Sequence, residues 1–376
     1  MSTIAWKNWR ASLEREGATS PEFEVVLYSD ASFIGEHLTL GPYDVITTGA
    51  DISPMMPSLV VRGETLIPQI PDLVDRETGE LMPADSRAYH GGTPVDEIAA
   101  LLSLSCGVRC RAGGTTRVWK VRQDPFGSPV FWDMHPVPRL GPPNLEILPL
   151  VSSRQAILAD AEGLLLKFPK LAAGKAVALI RSARLYSNAL WWANEDPNFS
   201  WLQLVGAIEV AANTRRSRNL DGSEVLLVLE ELAPELWAAL TGTSDQIKER
   251  VARQMLPTLR AQRKFIDFVI EFEQGPPEPR PQQFGQVEWD AMSSHMKIVY
   301  DHRSKALHRG TPFPQPMLRK PYFDDQNGLS ELPLGMSAGG AGASWMANEF
   351  PLTLQTFEHI VRGCLLTWWQ GLPETQ

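Results

Sequence analysis

The sequence predicts a multidomain protein: an N-terminal, strand-rich α+β domain followed by an all-α helical bundle. Three observations carry that expectation. Over the first 150 positions the hydrophobic residues come in short β-branched and aromatic runs broken by Pro and Gly, as strands do. Beyond residue 152 their period becomes helical and mostly stays so. A Pro-rich stretch, "EQGPPEPRPQQFG" at 273–285, then interrupts the helices as a stiff connector. The 376 residues, 43% hydrophobic and 21% charged, suffice for two domains of ordinary size, expected at 1–152 and 153–376.

In chain order, "FEVVLYS", "DVITT", "SLVVRG", "TRVWKVRQ" and "PVFWDM" read as strands. One helix interrupts them, "TPVDEIAALLSLSCGVRC", with Thr93 or Asp96 as its cap. "SSRQAILADAEGLLLKF" and "AAGKAVALIRSARLYSNALWWANE" each read as a single helix. In "DPNFSWLQLVGAIEVAANTRR", Asp196 is the cap and Pro197 the first helical residue. "ELAPELWAALTG" and "SDQIKERVARQMLPTLRAQRKFIDFVIEF" add two helices. "WDAMSSHMKIVYDHRSKALHRG" is another, stopped by Gly310 and Pro312. "LGMSAGGAGAS" reads as a flexible loop, and "PLTLQTFEHIVRGCLLTWWQ" as a closing amphipathic helix.

Composition narrows the chemistry. A net charge of −9 argues against a protein that coats itself in nucleic acid, so any such contact falls to local basic groups. Arg215 and Arg216 in "TRRSR", and Lys305 and Arg309 further on, are the candidates. Cys106, Cys110 and Cys364 cannot all pair, and "CGVRC" has neither redox nor zinc spacing, so reduced, buried thiols are expected. "GMSAGG" fits G-x-S-x-G, but Ser337 follows no hydrophobic strand; "HGGT" at 90–93 resembles an oxyanion-hole stretch only in letters. Asp133 and His135 lack a third ligand, and His295 and His302 stand two turns apart, so no metal and no cofactor is expected. Without an apolar run of about 18 residues or a signal peptide, the protein is expected to be soluble, cytoplasmic and free of the membrane.

That leaves "IVYDHRSKALHRGTPFP". His308 falls in the last turn of its helix, where the carbonyl dipoles favour an imidazolium. Asp301, Ser304 and His308 share one helical face, while Arg303 lies about 140° from His308 on ideal geometry. The two converge only if the arginine reaches round, the helix end bends, or a second protomer supplies the partner. Together they suit a phosphate: a guanidinium forks two oxygens and an imidazole moves a proton. The bland alternative is a surface arginine and a helix-capping histidine.

"YDHRSKALHRG", an R-x4-H on the penultimate helix, resembles the signature of the HEPN superfamily (higher eukaryotes and prokaryotes nucleotide-binding domain). "RSARLYSNALWWANEDPNFSWLQLVGAIEVAA", where Glu209 follows an aliphatic run, is similar to the upstream helices, and "FEHIVRGCLLTWW" to the closing one. The likeness covers residues 170–376. It implies a metal-independent endoribonuclease, acting as a homodimer whose two motifs face one cleft. Arg303 and His308 would be catalytic, Glu209 a supporting carboxylate, and the products 2′,3′-cyclic phosphate and 5′-OH ends. The implied setting is bacterial defence, a toxin–antitoxin pair or abortive infection, with an antitoxin or defence protein as partner and the N-terminal domain as sensor or specificity module. Ser304 departs from the Asn, Asp or His often found after the arginine in active members. The alternative is a non-catalytic module of the same shape that binds RNA, a nucleotide or a protein.

Overall fold

β-Branched residues set the first sheet. The computed structural model describes residues 4–15, 21–48, 57–67, 74, 79–81, 86–120, 124–130, 138, 146–215 and 221–375. They fall into two compact units, Met1–Ala207 with Leu365–Gln376, and Ile208–Cys364. The strand-rich N-terminal part and the helical C-terminal half expected from the sequence are both present. No helix among the described residues is long and apolar enough to cross a membrane.

The elements of the first unit run α1 (Ile4–Leu13), β1 (Phe23–Tyr28), β2 (Ser32–Ile34), β3 (Leu38–Leu40), β4 (Tyr43–Thr47), β5 (Pro57–Gly63), α2 (Pro94–Cys106), β6 (Arg111–Val118), β7 (Ser128–Pro129), β8 (Gln155–Ile157), α3 (Glu162–Lys167) and α4 (Ala173–Trp192). An antiparallel sheet of order β3-β4-β5-β1-β6-β7 forms its frame. Val25, Leu27, Val45, Leu59 and Val61 are buried at alternate positions, as a half-buried strand requires. β6 starts five residues before the run that suggested it. Gly113 hides it: a Cβ there would lie 2.6 Å from the Tyr28 ring, so the strand carries no side chain where its neighbour's ring passes. Most of "PVFWDM" lies outside the described residues.

Of the two cap candidates for α2, Thr93 is the N-cap and Asp96 its reciprocating partner. The Asp96 N–H donates to Thr93 Oγ1 (3.2 Å) and the Thr93 N–H to Asp96 Oδ2 (2.7 Å). Gly107, at φ 66°, ends the helix in the left-handed region. The cysteines around it are free and buried, as is Cys364, and burial raises the thiol pKa of Cys110 and Cys364. α1 escaped the sequence reading; its first N–H groups, of Ile4 and Ala5, donate to the buried carboxylate of Glu97, each at 3.1 Å.

"SSRQAILADAEGLLLKF" is not one helix. Residues 155–157 pair in parallel with β2, and only 162–167 are α-helical. A partner strand far away in sequence offers those backbone groups hydrogen bonds that local periodicity cannot reveal. α4 forms as expected. So does the start of α5 (Pro197–Ala212), where Asp196 Oδ1 accepts from the Phe199 N–H at 2.9 Å.

The second unit adds α6 (Gly222–Leu232), α7 (Pro234–Ala239), α8 (Asp245–Phe272), α9 (Met292–Arg309), β9 (Phe323–Asp324), β10 (Gly328–Leu329), β11 (Ser337–Gly340), β12 (Ala343–Met346) and the start of α10 (Leu354–Gly371). α6 went unread, although Asp221 and Glu224 form a capping box in its first turn. This part is helical but not all-α. The supposed flexible loop is the β11–β12 hairpin, closed by Ala341 (φ 51°) and Gly342 (φ 80°), two positive φ values as a two-residue primed turn demands. Ser337 therefore opens an exposed hairpin strand and is no nucleophile elbow.

The Pro-rich connector is strapped down. The Glu331 carboxylate, in a residue 2% exposed, accepts from Arg280 Nε (2.7 Å), Arg280 Nη2 (2.6 Å) and the Val287 N–H (2.7 Å). Asn327 Oδ1 takes the N–H groups of Gln283 and Phe284. Breaking a buried pair leaves an uncompensated charge, so Glu331→Ala is expected to lower the unfolding free energy by about 3 kcal/mol in urea titration.

His302, buried on α9, gives a pH signature. Its Nε2 lies 2.7 Å from the Glu349 carbonyl. Burial lowers its pKa below 6.5, opposed by that carbonyl, with Lys305 lowering it further and Asp301 and Glu349 raising it. As pH falls through 6.5 the unfolded chain takes the proton before the folded one does, so stability declines. Urea midpoints across mildly acidic pH should show this slope in the wild type and a shallower one in His302→Gln.

Candidate functional site

Four consecutive residues of α9 serve three neighbours, because each step along the helix turns the side chain by about 100°. Tyr300 and Arg303, three apart on one face, both reach Glu209 on α5. Tyr300 Oη donates to Glu209 Oε1 at 3.0 Å and Arg303 Nη2 to Glu209 Oε2 at 2.6 Å. The Arg303 guanidinium also lies over the Tyr300 ring, 5.3 Å from its centroid. Asp301 turns to α8, where Gln262 Nε2 donates to it at 3.1 Å. His302 faces the Glu349 carbonyl and the Phe313 ring.

The electrostatics follow from burial. The Tyr300 pKa is raised by burial first, then by the negative charge of Glu209 and its hydrogen bond, with Arg303 opposing. Tyr300 is thus held as a hydrogen-bond donor to Glu209. Burial also raises the Asp301 pKa, opposed by Lys297, Gln262, Lys305 and His302. The Glu209 and Arg303 side chains keep 18% and 21% of their accessibility, an ion pair at the edge of the core. Among the described residues nothing accepts from Arg303 Nε or Nη1, which leaves those N–H groups for an anion.

The helix ends where expected. Gly310 adopts φ 66°, and its N–H and that of Thr311 turn back to the Lys305 carbonyl. His308 and Arg309 thus occupy the last turn, both exposed. His308 has no hydrogen bond or ion pair among the described residues. The structure brings Arg303 together with Glu209 and leaves His308 outside that group. Ser304 is half-buried and Lys305 exposed.

Other candidates scatter. Arg215 is paired with Glu271 at 2.5 Å, on a groove of about 710 Å³ where Arg263 is likewise matched by Glu231 and Asp267. Arg216, Asp133 and His135 lie outside the described residues. Among the described residues no group of three or more His, Cys, Asp or Glu side chains is placed to hold a metal ion. "HGGT" is a structural entry to α2: His90 contacts Glu97, and Thr93 caps the helix.

Sequence reasoning missed Tyr300, although its position three before Arg303 was a usable signal. Comparison with protein-family models, with curated proteins and with solved structures returns no match.

Neutralising the pair should be measurable. Glu209→Gln is expected to cost about 1–2 kcal/mol in unfolding free energy, and a double-mutant cycle with Arg303→Met should show coupling of about 1 kcal/mol. Additive effects would show that the contact contributes nothing.

Proposed function

We propose that this protein is a metal-independent endoribonuclease. One observation carries the reading: Arg303 is aimed by Glu209 and Tyr300 with N–H groups to spare, on the same helix whose last turn presents an exposed, uncommitted His308. The RNA 2′-OH attacks the adjacent phosphorus, its proton passing to a general base. An O2′–P bond forms, the P–O5′ bond breaks, and the leaving 5′-oxygen takes up a proton. His308 serves one of these transfers, and Arg303 steadies the charge that builds on the phosphorane oxygens. Glu209, with both oxygens engaged, positions Arg303. The second acid–base group, and a partner for each Arg303, come from a second copy in a homodimer, which meets the divergence of Arg303 and His308 within one chain. Asp301 and Ser304 flank the site as supporting groups. Lys305 and Arg309, exposed beside His308, supply contacts to the RNA backbone.

The same reading carries its setting: bacterial antiphage defence or a toxin–antitoxin system acting on cytoplasmic RNA, with a protein partner that restrains or triggers it.

RNA incubated with purified protein in EDTA should yield 2′,3′-cyclic phosphate and 5′-OH ends. His308→Ala and Arg303→Ala should each reduce the rate by about 100-fold or more. Undiminished cleavage by His308→Ala would falsify the assignment. Salt-sensitive RNA binding with no cleavage by the wild type would favour a non-catalytic binding module instead.

A further inference from the structure

We infer that the first unit holds a binding site for a small organic carboxylate, in a recess of about 520 Å³ lined by β1, α2, β6 and α4. The inference is independent of the nuclease reading. Sites for small molecules typically enclose about 300–1,000 Å³, with apolar walls and a few convergent polar groups. Here Phe23 and Val25 of β1, with Val95, Ala99 and Ala100 of α2, supply the apolar walls.

Two guanidiniums supply the polar end, each presented in a different way. Arg111, the first residue of β6, lies over the Trp191 ring, 4.8 Å from its centroid. No hydrogen bond or ion pair among the described residues engages it. Burial lowers its pKa, against the pull of Asp96 and Glu195. Asn188, one helical turn after Arg184 on α4, adds an amide that is likewise unengaged among the described residues.

Arg184 is held from behind. Its Nη1 lies 2.7 Å from His90 Nδ1. Arginine only donates, so Nδ1 accepts and Nε2 carries the proton, which Glu97 Oε1 accepts at 2.7 Å. Glu97 is 0% exposed and is itself fixed by the Ile4 and Ala5 N–H groups. Gly92 leaves the room: a Cβ there would come within 2.1 Å of Arg184 Nη1. A guanidinium so braced suits recognition, because its geometry is set before the ligand arrives.

Charge selects the ligand. Among the lining residues Arg111 and Arg184 face Asp96, whose Oδ2 is committed to the Thr93 N–H and hydroxyl. The lining alone carries one net positive charge, and Glu195 acts on Arg111 from outside it, so the recess is weakly positive and suits a singly charged carboxylate better than a phosphate dianion.

Isothermal titration of the full-length protein tests this with 2-naphthoate, benzoate and indole-3-acetate, against the neutral 2-naphthalenemethanol and 2-naphthyl phosphate. At least one acid should bind saturably at one site. The alcohol should bind about tenfold more weakly than 2-naphthoate or worse, and the phosphate no more tightly. Arg111→Met should lose about tenfold, and Gly92→Ala should weaken binding by displacing Arg184, with thermal unfolding as a check on folding. No saturable binding by any of the three acids, equal affinity for acid and alcohol, or an unchanged Kd in folded Arg111→Met would overturn the site. Tighter binding of the phosphate would overturn the choice of carboxylate.

Discussion

Taking an ionised carboxylate out of water costs several kcal/mol unless donors meet it, and the second unit is organised around one such group. Glu331 gathers Arg280 and the Val287 N–H with its side chain, while its own carbonyl accepts from the Thr353 N–H and the Thr356 hydroxyl. One residue thus joins the Pro-rich connector to the entry of α10. Just beyond Val287, the Trp289 indole donates to Glu273 at the end of α8, so the chain enters α9 from a fixed direction. Glu331 and Glu273 thus fix the path of the chain into α9.

Along α9 the same rule sorts the side chains. A tyrosine and an arginine three residues apart can share one acceptor, and Glu209 offers each of them an oxygen. The histidine between them, His302, is drawn inward and spends its Nε2 on the Glu349 carbonyl. The histidine that stays available, His308, lies beyond the last packed turn. Availability and packing exclude each other on a helix of this length. On the proposed reading, a catalytic use of His308 depends on what a second molecule or the RNA brings to it.

The first unit repeats the logic with Glu97. Its two oxygens satisfy the opening N–H groups of α1 and brace His90, which braces Arg184. The "HGGT" letters that suggested an oxyanion hole instead serve helix entry and the clearance of an arginine head. Gly92 is small because Arg184 passes over it.

Much of this was legible in the residues. Strand runs rich in Val and Ile, the Thr93 cap, the Asp196–Pro197 start and the Gly310 stop each report a local backbone requirement, and local requirements are written in adjacent letters. The pairing of β2 with residues 155–157, the strand hidden behind Gly113, and the hairpin at 337–346 were not legible, because each depends on a partner or a turn whose pattern is not periodic. The site divides the same way. Sequence alone determined that Arg303 and His308 stand five apart at the end of a helix, on faces that diverge. Only the tertiary structure decided that Glu209 and Tyr300 hold the arginine while the histidine stays free, because a carboxylate on α5 and a guanidinium on α9, 94 positions apart in the chain, meet only when the helices that carry them pack.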